Sequence, residues 1–129
     1  MRALVIEDSS TIRMILCRYL QKMNIEVTEA VDGQVALMRL KAMSPPDVIL
    51  VDWNMPVMNG LDFVREVRRL PVYDQIPIIM ITTNSEGVYL STAREAGATE
   101  YIQKPCTYEV LREKLDQMGI LTTAGIDGT

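Results

Sequence analysis

Histidine is absent from this 129-residue chain, and cysteine occurs only as Cys17 and Cys106. Zinc sites built on imidazole or on closely spaced thiols are thereby excluded, and both cysteines are expected to pack as small apolar side chains. Long apolar runs are missing too: none approaches the ~20 residues that cross a bilayer, so no membrane span is expected. No block rich in Lys and Arg exists, and 13 basic against 17 acidic residues leave a net charge of −4. A chain without a surplus of cations has no non-specific grip on nucleic-acid phosphates, and direct nucleic-acid binding is not expected. The first residues, MRALVIEDSS, reach Glu7 and Asp8 before the apolar core of a secretory signal can form, which points to a cytoplasmic location.

What is present is the pattern of one compact domain, for which the length is suited. Residues 1–118 are expected to form it, with a flexible C-terminal tail over 119–129. Ala3 to Ile6 is a short apolar run that stops abruptly at Glu7 and Asp8, as a buried parallel strand stops at a sheet edge. Ser9 or Ser10 can cap the helix that follows, where Ile12, Ile15, Leu16, Tyr19, Leu20 and Met23 form one continuous apolar face. A strand over Glu26 to Ala30, an Asp32-Gly33 turn and a helix through Ala36, Leu40 and Met43 repeat the unit, ending before Pro45 and Pro46. Val48 to Val51 is a third strand, closing on Asp52. After a loop from Trp53 to Gly60, a helix carrying Phe63, Val67 and Leu70 stops at Pro71. Ile78 to Ile81 closes on Thr82, and a weaker helix runs from about Glu86 to Ala96, with Gly87 in its first turn. Glu100 to Gln103 closes on Lys104 and Pro105, and a last helix carries Tyr108, Leu111, Leu115 and Met118.

Five strands alternating with five helices imply a parallel sheet covered on both faces, because parallel neighbours need crossover connections. The expected fold is α/β, a doubly wound (βα)5 flavodoxin-like sandwich, with the strand order 2-1-3-4-5 that is common to that fold class. In that order strands 1 and 3 are neighbours at the topological switch point, and ligands bind at the carboxyl edge of such sheets. Glu7, Asp8, Asp52, Thr82 and Lys104 each fall at that edge. An acid at one strand end is ordinarily a solvated terminus or a helix cap; five strand-end positions agreeing is a site. Two carboxylates 4 Å apart repel by about 1 kcal/mol in water and about 4 at an effective dielectric of 20, so the three acids call for a cation. Oxygen-only ligands point to Mg²⁺. With Lys104 and the metal holding a phosphoryl donor, Asp52 is placed to act as a nucleophile and Thr82 to donate a hydrogen bond to a phosphoryl oxygen. Met55 and Met58 read as core filler.

Taken together, Glu7-Asp8, the Asp52 to Pro56 string with Gly60 beyond it, Thr82 and Lys104-Pro105 resemble the motif set of response regulator receiver domains, over roughly residues 1 to 118. The resemblance implies that Asp52 is the phosphoacceptor and that Asp8, Asp52 and the Asn54 main-chain carbonyl hold Mg²⁺. It further implies that Glu7 acts through water and Lys104 pairs with the phosphoryl group, behind a cis Lys104-Pro105 bond. Thr82 and Tyr101 match the family's coupled switch pair, and Leu90, Tyr101, Gln103 and Lys114 fall on the face expected to meet partners. The Asp52 string with Tyr101 is most similar to the stand-alone chemotaxis regulators, which implies a histidine kinase as donor and the flagellar motor switch or a phosphotransfer protein as target. Glu7 stands where the family often has Asp, Thr83 where a smaller residue is frequent, and Cys106 where Phe is often seen. Asn84 occupies a position that tunes dephosphorylation in the family.

Other readings share parts of this pattern: a phosphorelay intermediate, a receiver domain excised from a larger protein, a small Asp- and Mg²⁺-dependent phosphatase, or a flavodoxin-like cofactor carrier. The loop from Asp8 to Thr11 has no glycine and carries an acid, which suits a metal better than a flavin phosphate. The Asp52 loop lacks the second Asp, two positions on, that an aspartate-based phosphatase would use.

Overall fold

The computed structural model describes residues 1–83 and 87–121, Val88 by its backbone alone. Strands β1 (Arg2–Ile6), β2 (Glu26–Ala30), β3 (Val48–Asp52), β4 (Ile78–Thr82) and β5 (Glu100–Gln103) alternate with helices α1 (Ser10–Lys22), α2 (Gly33–Ala42), α3 (Gly60–Arg68), α4 (Gly87–Ala96) and α5 (Tyr108–Gln117). All four strand pairings are parallel, in the order β2-β1-β3-β4-β5. That is the doubly wound sandwich its alternating pattern demands.

The central strands are buried on both faces, every residue of β3 and β4 included, as expected where crossovers lay helices on each side. Because side chains alternate along a strand, Ile49, Val51, Ile78 and Met80 pack with Phe63, Val64 and Val67 of α3 and with parts of α2 and α4. Val48, Leu50, Ile79 and Ile81 pack on the other face with Leu16 and Leu20 of α1 and Leu111 and Leu115 of α5. Side chains cap four helices: Ser9 accepts from Ile12 N, Asp32 from Val35 N, Asn59 from Asp62 N and Thr107 from Val110 N. Ser9, rather than Ser10, is thus the cap of α1, and Asp32 of the expected turn opens α2.

One expectation changes, at the end of α3, and packing adds two details. The apolar face of α1 is covered only in part: Leu16, Leu20 and Met23 are buried, whereas Ile12 and Ile15 remain 38% exposed each. They line, with Tyr19, Pro105 and Cys106, a cavity of about 460 Å³ beside the β5 exit loop. Leu70 lies outside α3, which closes at Arg68, and Pro71–Tyr73 forms a 3₁₀ turn. Proline disfavours the helical region for the residue before it, and Leu70 is extended, at φ −104° and ψ 105°. At the C-terminus, Ile120 N bonds to Leu115 O and Leu121 is buried, so the segment from Gly119 to Leu121 folds back on α5. Residues 122–129 of the expected tail, the expected helix start at Glu86, and Asn84 lie outside the described residues. Both cysteines are free thiols, Cys17 buried and Cys106 half-buried, and burial pushes each up to about 11. Among the described residues no helix is long and apolar enough to cross a membrane.

Candidate functional site

Strand register brings the polar strand ends together. Ile6 lies opposite Val51 and Asp52 opposite Ile81, so the residues that follow β1 and close β3 and β4 meet at one edge. Oxygen atoms of Glu7, Asp8 and Asp52 all lie within 4.8 Å of one another. Glu7 and Asp52 are buried, at 1% and 3% exposure, whereas Asp8 is exposed at the mouth. The Lys104 main-chain N–H donates to Thr82 O at 2.8 Å, and the bond from Lys104 to Pro105 is cis. From there the Lys104 ammonium reaches Asp52 Oδ1 at 2.9 Å and Glu7 Oε1 at 3.6 Å.

Two buried carboxylates thus share one ammonium, with the Asp8 carboxylate beside them. Burial is the main reason the Glu7 carboxyl is pushed up to about 7, with the hydrogen bond to Asp8 and the Asp52 charge adding to it, against the Ser9 N–H and Lys104. For Lys104, burial works against the charged form, but contact with Asp52 and the charges of Asp52 and Glu7 outweigh it and raise its pKa. Glu7 Oε1 and Asp52 Oδ1 are buried and accept no hydrogen bond of proper geometry, so the ammonium compensates charge without saturating their lone pairs. A donor set of oxygens only, with two buried oxygens still able to accept, fits a hard divalent cation.

Thr82 is buried at the end of β4. Asn54 is exposed in the loop beyond Asp52. In that loop Gly60 is held so close that a Cβ would sit 2.2 Å from Asp52 O, which is why glycine stands there. Tyr101 is half-buried opposite Met80, and the Lys114 ammonium lies 6.0 Å from its ring centroid and 3.4 Å from Glu100. Gln103 is exposed at the end of β5, opposite Thr82, and Leu90 is half-buried on α4.

A family model described as the response regulator receiver domain matches residues 3–116. The chain belongs to the response regulator receiver domain family. This receiver is 46% identical over 117 residues to the chemotaxis protein CheY1 of Helicobacter pylori, covering 90% of the chain and 94% of that protein. It is 42% identical to a chemotaxis protein CheY homolog of Campylobacter jejuni, covering 92% of each. Among solved structures, the chemotaxis response regulator CheY4 of Vibrio cholerae superposes with a TM-score of 0.85 at 36% identity, covering 93% of this chain and 98% of that one. The fold is therefore that of CheY-like receivers, whose family takes a phosphoryl group at an acidic, Mg²⁺-binding pocket.

Two contacts of the receiver are marked by no motif. Trp53, next to Asp52, stacks edge-on against Tyr89 of α4. Arg13, one turn into α1, reaches back to the Glu7 main chain. Only its place on the helix that leaves the acidic strand end marks it in the sequence.

Proposed function

We propose that this receiver is the phosphorylated switch of a chemotaxis pathway, with Asp52 accepting a phosphoryl group from a histidine kinase. The observation that carries the reading is the Lys104 ammonium, 2.9 Å from Asp52 inside a three-carboxylate cluster. In this reading an Asp52 oxygen attacks the phosphorus of a phosphohistidine, the P–N bond breaks, and the leaving imidazole takes up a proton. An acyl phosphate remains on Asp52. When bound, Mg²⁺ neutralises the acids and the phosphoryl oxygens; Glu7, through water, and Asp8, Asp52 and the Asn54 carbonyl are the groups that hold it. Lys104 moves its charge from Asp52 to the incoming phosphoryl group, and Thr82 donates a hydrogen bond to a phosphoryl oxygen.

The output is a shape change. Thr82 is drawn toward the phosphoryl group, the Tyr101 ring follows, and the face made by α4, β5 and α5 presents Leu90, Tyr101, Gln103 and Lys114 to a target such as the flagellar motor switch. The chain acts as a switch that catalyses its own phosphoryl transfer and hydrolysis, in the cytoplasm, with residues 1–118 as the working domain and no direct contact with nucleic acid or membrane. Intact-mass spectrometry after treatment with acetyl phosphate and Mg²⁺ tests the acceptor: one phosphoryl group is expected on the wild type and none on Asp52→Asn. An adduct that persists in Asp52→Asn refutes it. Amide shifts with fluoroberyllate test the output, and changes confined to Glu7, Asp8 and the Asp52 loop would place it elsewhere.

A further inference from the structure

The ladder between β1 and β3 ends at Ile6 and Val51, so the Glu7 carbonyl and the peptide beyond it stand past the paired part of β1. Backbone groups past the end of a ladder need other partners or they rotate freely. On one side Glu7 N–H donates to Ala30 O at 3.1 Å. On the other, Arg13 Nη1 donates to Glu7 O at 2.7 Å, while Arg13 Nε donates to Glu29 Oε1 at 3.0 Å. The Arg13 side chain is only 16% exposed, and its planar fork is suited to hold two oxygens in fixed directions, which a lysine cannot do. The peptide joining Glu7 to Asp8 is thereby pinned to α1 and, through Glu29, to β2.

Asp8 depends on that peptide. Its carboxylate is exposed at the mouth and shares a hydrogen bond with Glu7, and the backbone of that peptide sets the direction from which it approaches Asp52. A cation site with one well-buried wall and one mobile ligand loses affinity through the entropy of ordering that ligand.

We propose that Arg13 is a positioning residue for the divalent-cation site: its guanidinium clamps the Glu7-Asp8 peptide and holds Asp8 in place to ligate. The inference rests on the reading that Glu7, Asp8 and Asp52 bind such a cation. It makes a prediction whose sign separates it from simple electrostatics. A guanidinium beside an acidic pocket repels Mg²⁺, so by charge alone its removal tightens binding. By the clamp, removal weakens binding, and partners of this outer kind typically contribute about tenfold or more to metal affinity.

The experiment is a calorimetric Mg²⁺ titration of the full chain as wild type, Arg13→Met and Arg13→Lys, with thermal melts in EDTA and backbone order parameters for the Asp8 amide in the metal-free proteins. Arg13→Met is expected to raise the Mg²⁺ Kd about tenfold and to lower the Asp8 order parameter. Arg13→Lys, which keeps the charge with a single donor group, is expected to recover part of the affinity. Loss of melting temperature with an unchanged Kd would reduce Arg13 to a structural brace and overturn the proposal, as would a tighter Kd. If Arg13→Met does not fold, Arg13→Lys decides: wild-type Kd and order parameter in that variant overturn the clamp. A wild type that binds no Mg²⁺ overturns the cation site and the clamp together, an outcome distinct from any ratio between variant and wild type.

Discussion

Trp53 and Tyr89 meet edge to face, with ring centroids 5.4 Å apart and planes inclined at 66°. Trp53 N donates to Ile81 O, and Trp53 O accepts from Gly60 N, so its backbone is tied to β4 and to the start of α3 while its ring touches α4. The residue beside Asp52 is therefore in direct contact with α4. Trp53 is the single tryptophan of the chain. Its emission is expected to change on saturation with Mg²⁺ and again with fluoroberyllate, and Asp8→Ala should abolish the Mg²⁺ response. Tyr89→Leu is expected to lower stability by about 1 kcal/mol in urea unfolding, the usual worth of an aromatic pair. An emission spectrum insensitive to both ligands would disconnect Trp53 from the site.

Glu7 sets a pH dependence. Its carboxyl ionises at about 7 in the folded chain against an ordinary 4.5. A raised folded value means that the unfolded chain loses the proton first, so the contribution of Glu7 to stability is fully present below pH 4.5 and is lost as pH rises through about 7. In EDTA, the wild type is expected to lose stability across that window relative to Glu7→Gln. Mg²⁺ binding needs the carboxylate, so below about pH 7 it should release a proton and weaken. Calorimetry in buffers of different ionisation enthalpy reads both, and affinity that does not vary with pH would remove Glu7 from the site.

Two glycines should respond in opposite directions. A Cβ at Gly60 would lie 2.2 Å from Asp52 O and 2.9 Å from Asp52 C, and backbone cannot give way as a flexible side chain can. Gly60→Ala is expected to cost about 2–4 kcal/mol and to slow adduct formation at Asp52. A Cβ at Gly87 meets nothing within 4 Å, and Gly87→Ala should stabilise α4 by up to about 1 kcal/mol. Urea denaturation of both variants is the check, and a stabilised Gly60→Ala would contradict the packing around Asp52.

Arg68 holds the far end of the sheet. Its guanidinium donates to Gly97 O at 2.9 Å, Tyr73 O at 2.7 Å, Asp74 O at 3.2 Å and Ile76 O at 2.8 Å, joining α3 to the 3₁₀ turn and the end of α4. Arg68→Met leaves these carbonyls short of a donor and is expected to cost about 3 kcal/mol. Arg68→Lys should recover little, because one ammonium cannot serve carbonyls spread around a planar fork. Equilibrium unfolding measures both, and a loss below ~0.5 kcal/mol, the range of ordinary surface changes, would mean that water replaces the guanidinium.

The alternation of strands and helices and the gathering of Glu7, Asp8, Asp52, Thr82 and Lys104 at one edge were legible in the sequence by itself. A buried parallel strand must be apolar on both faces and must stop where it meets water, so the first polar residue after each run marks the carboxyl edge, and topology brings those edges together. The exposure of Ile12 and Ile15, the Arg13 clamp, the Trp53 contact and the Arg68 staple were decided only by tertiary structure, whereas the early end of α3 follows from Pro71. Helical spacing marks an apolar face but not how far the neighbouring loop extends to cover it, which leaves Ile12 and Ile15 beside the Pro105 and Cys106 loop. Arg13 and Arg68 look like ordinary surface residues until packing brings Glu29 and Gly97, 16 and 29 positions away, within hydrogen-bonding distance. A long side chain has no periodicity that fixes its partner; the backbone groups left unpaired by the finished fold do that.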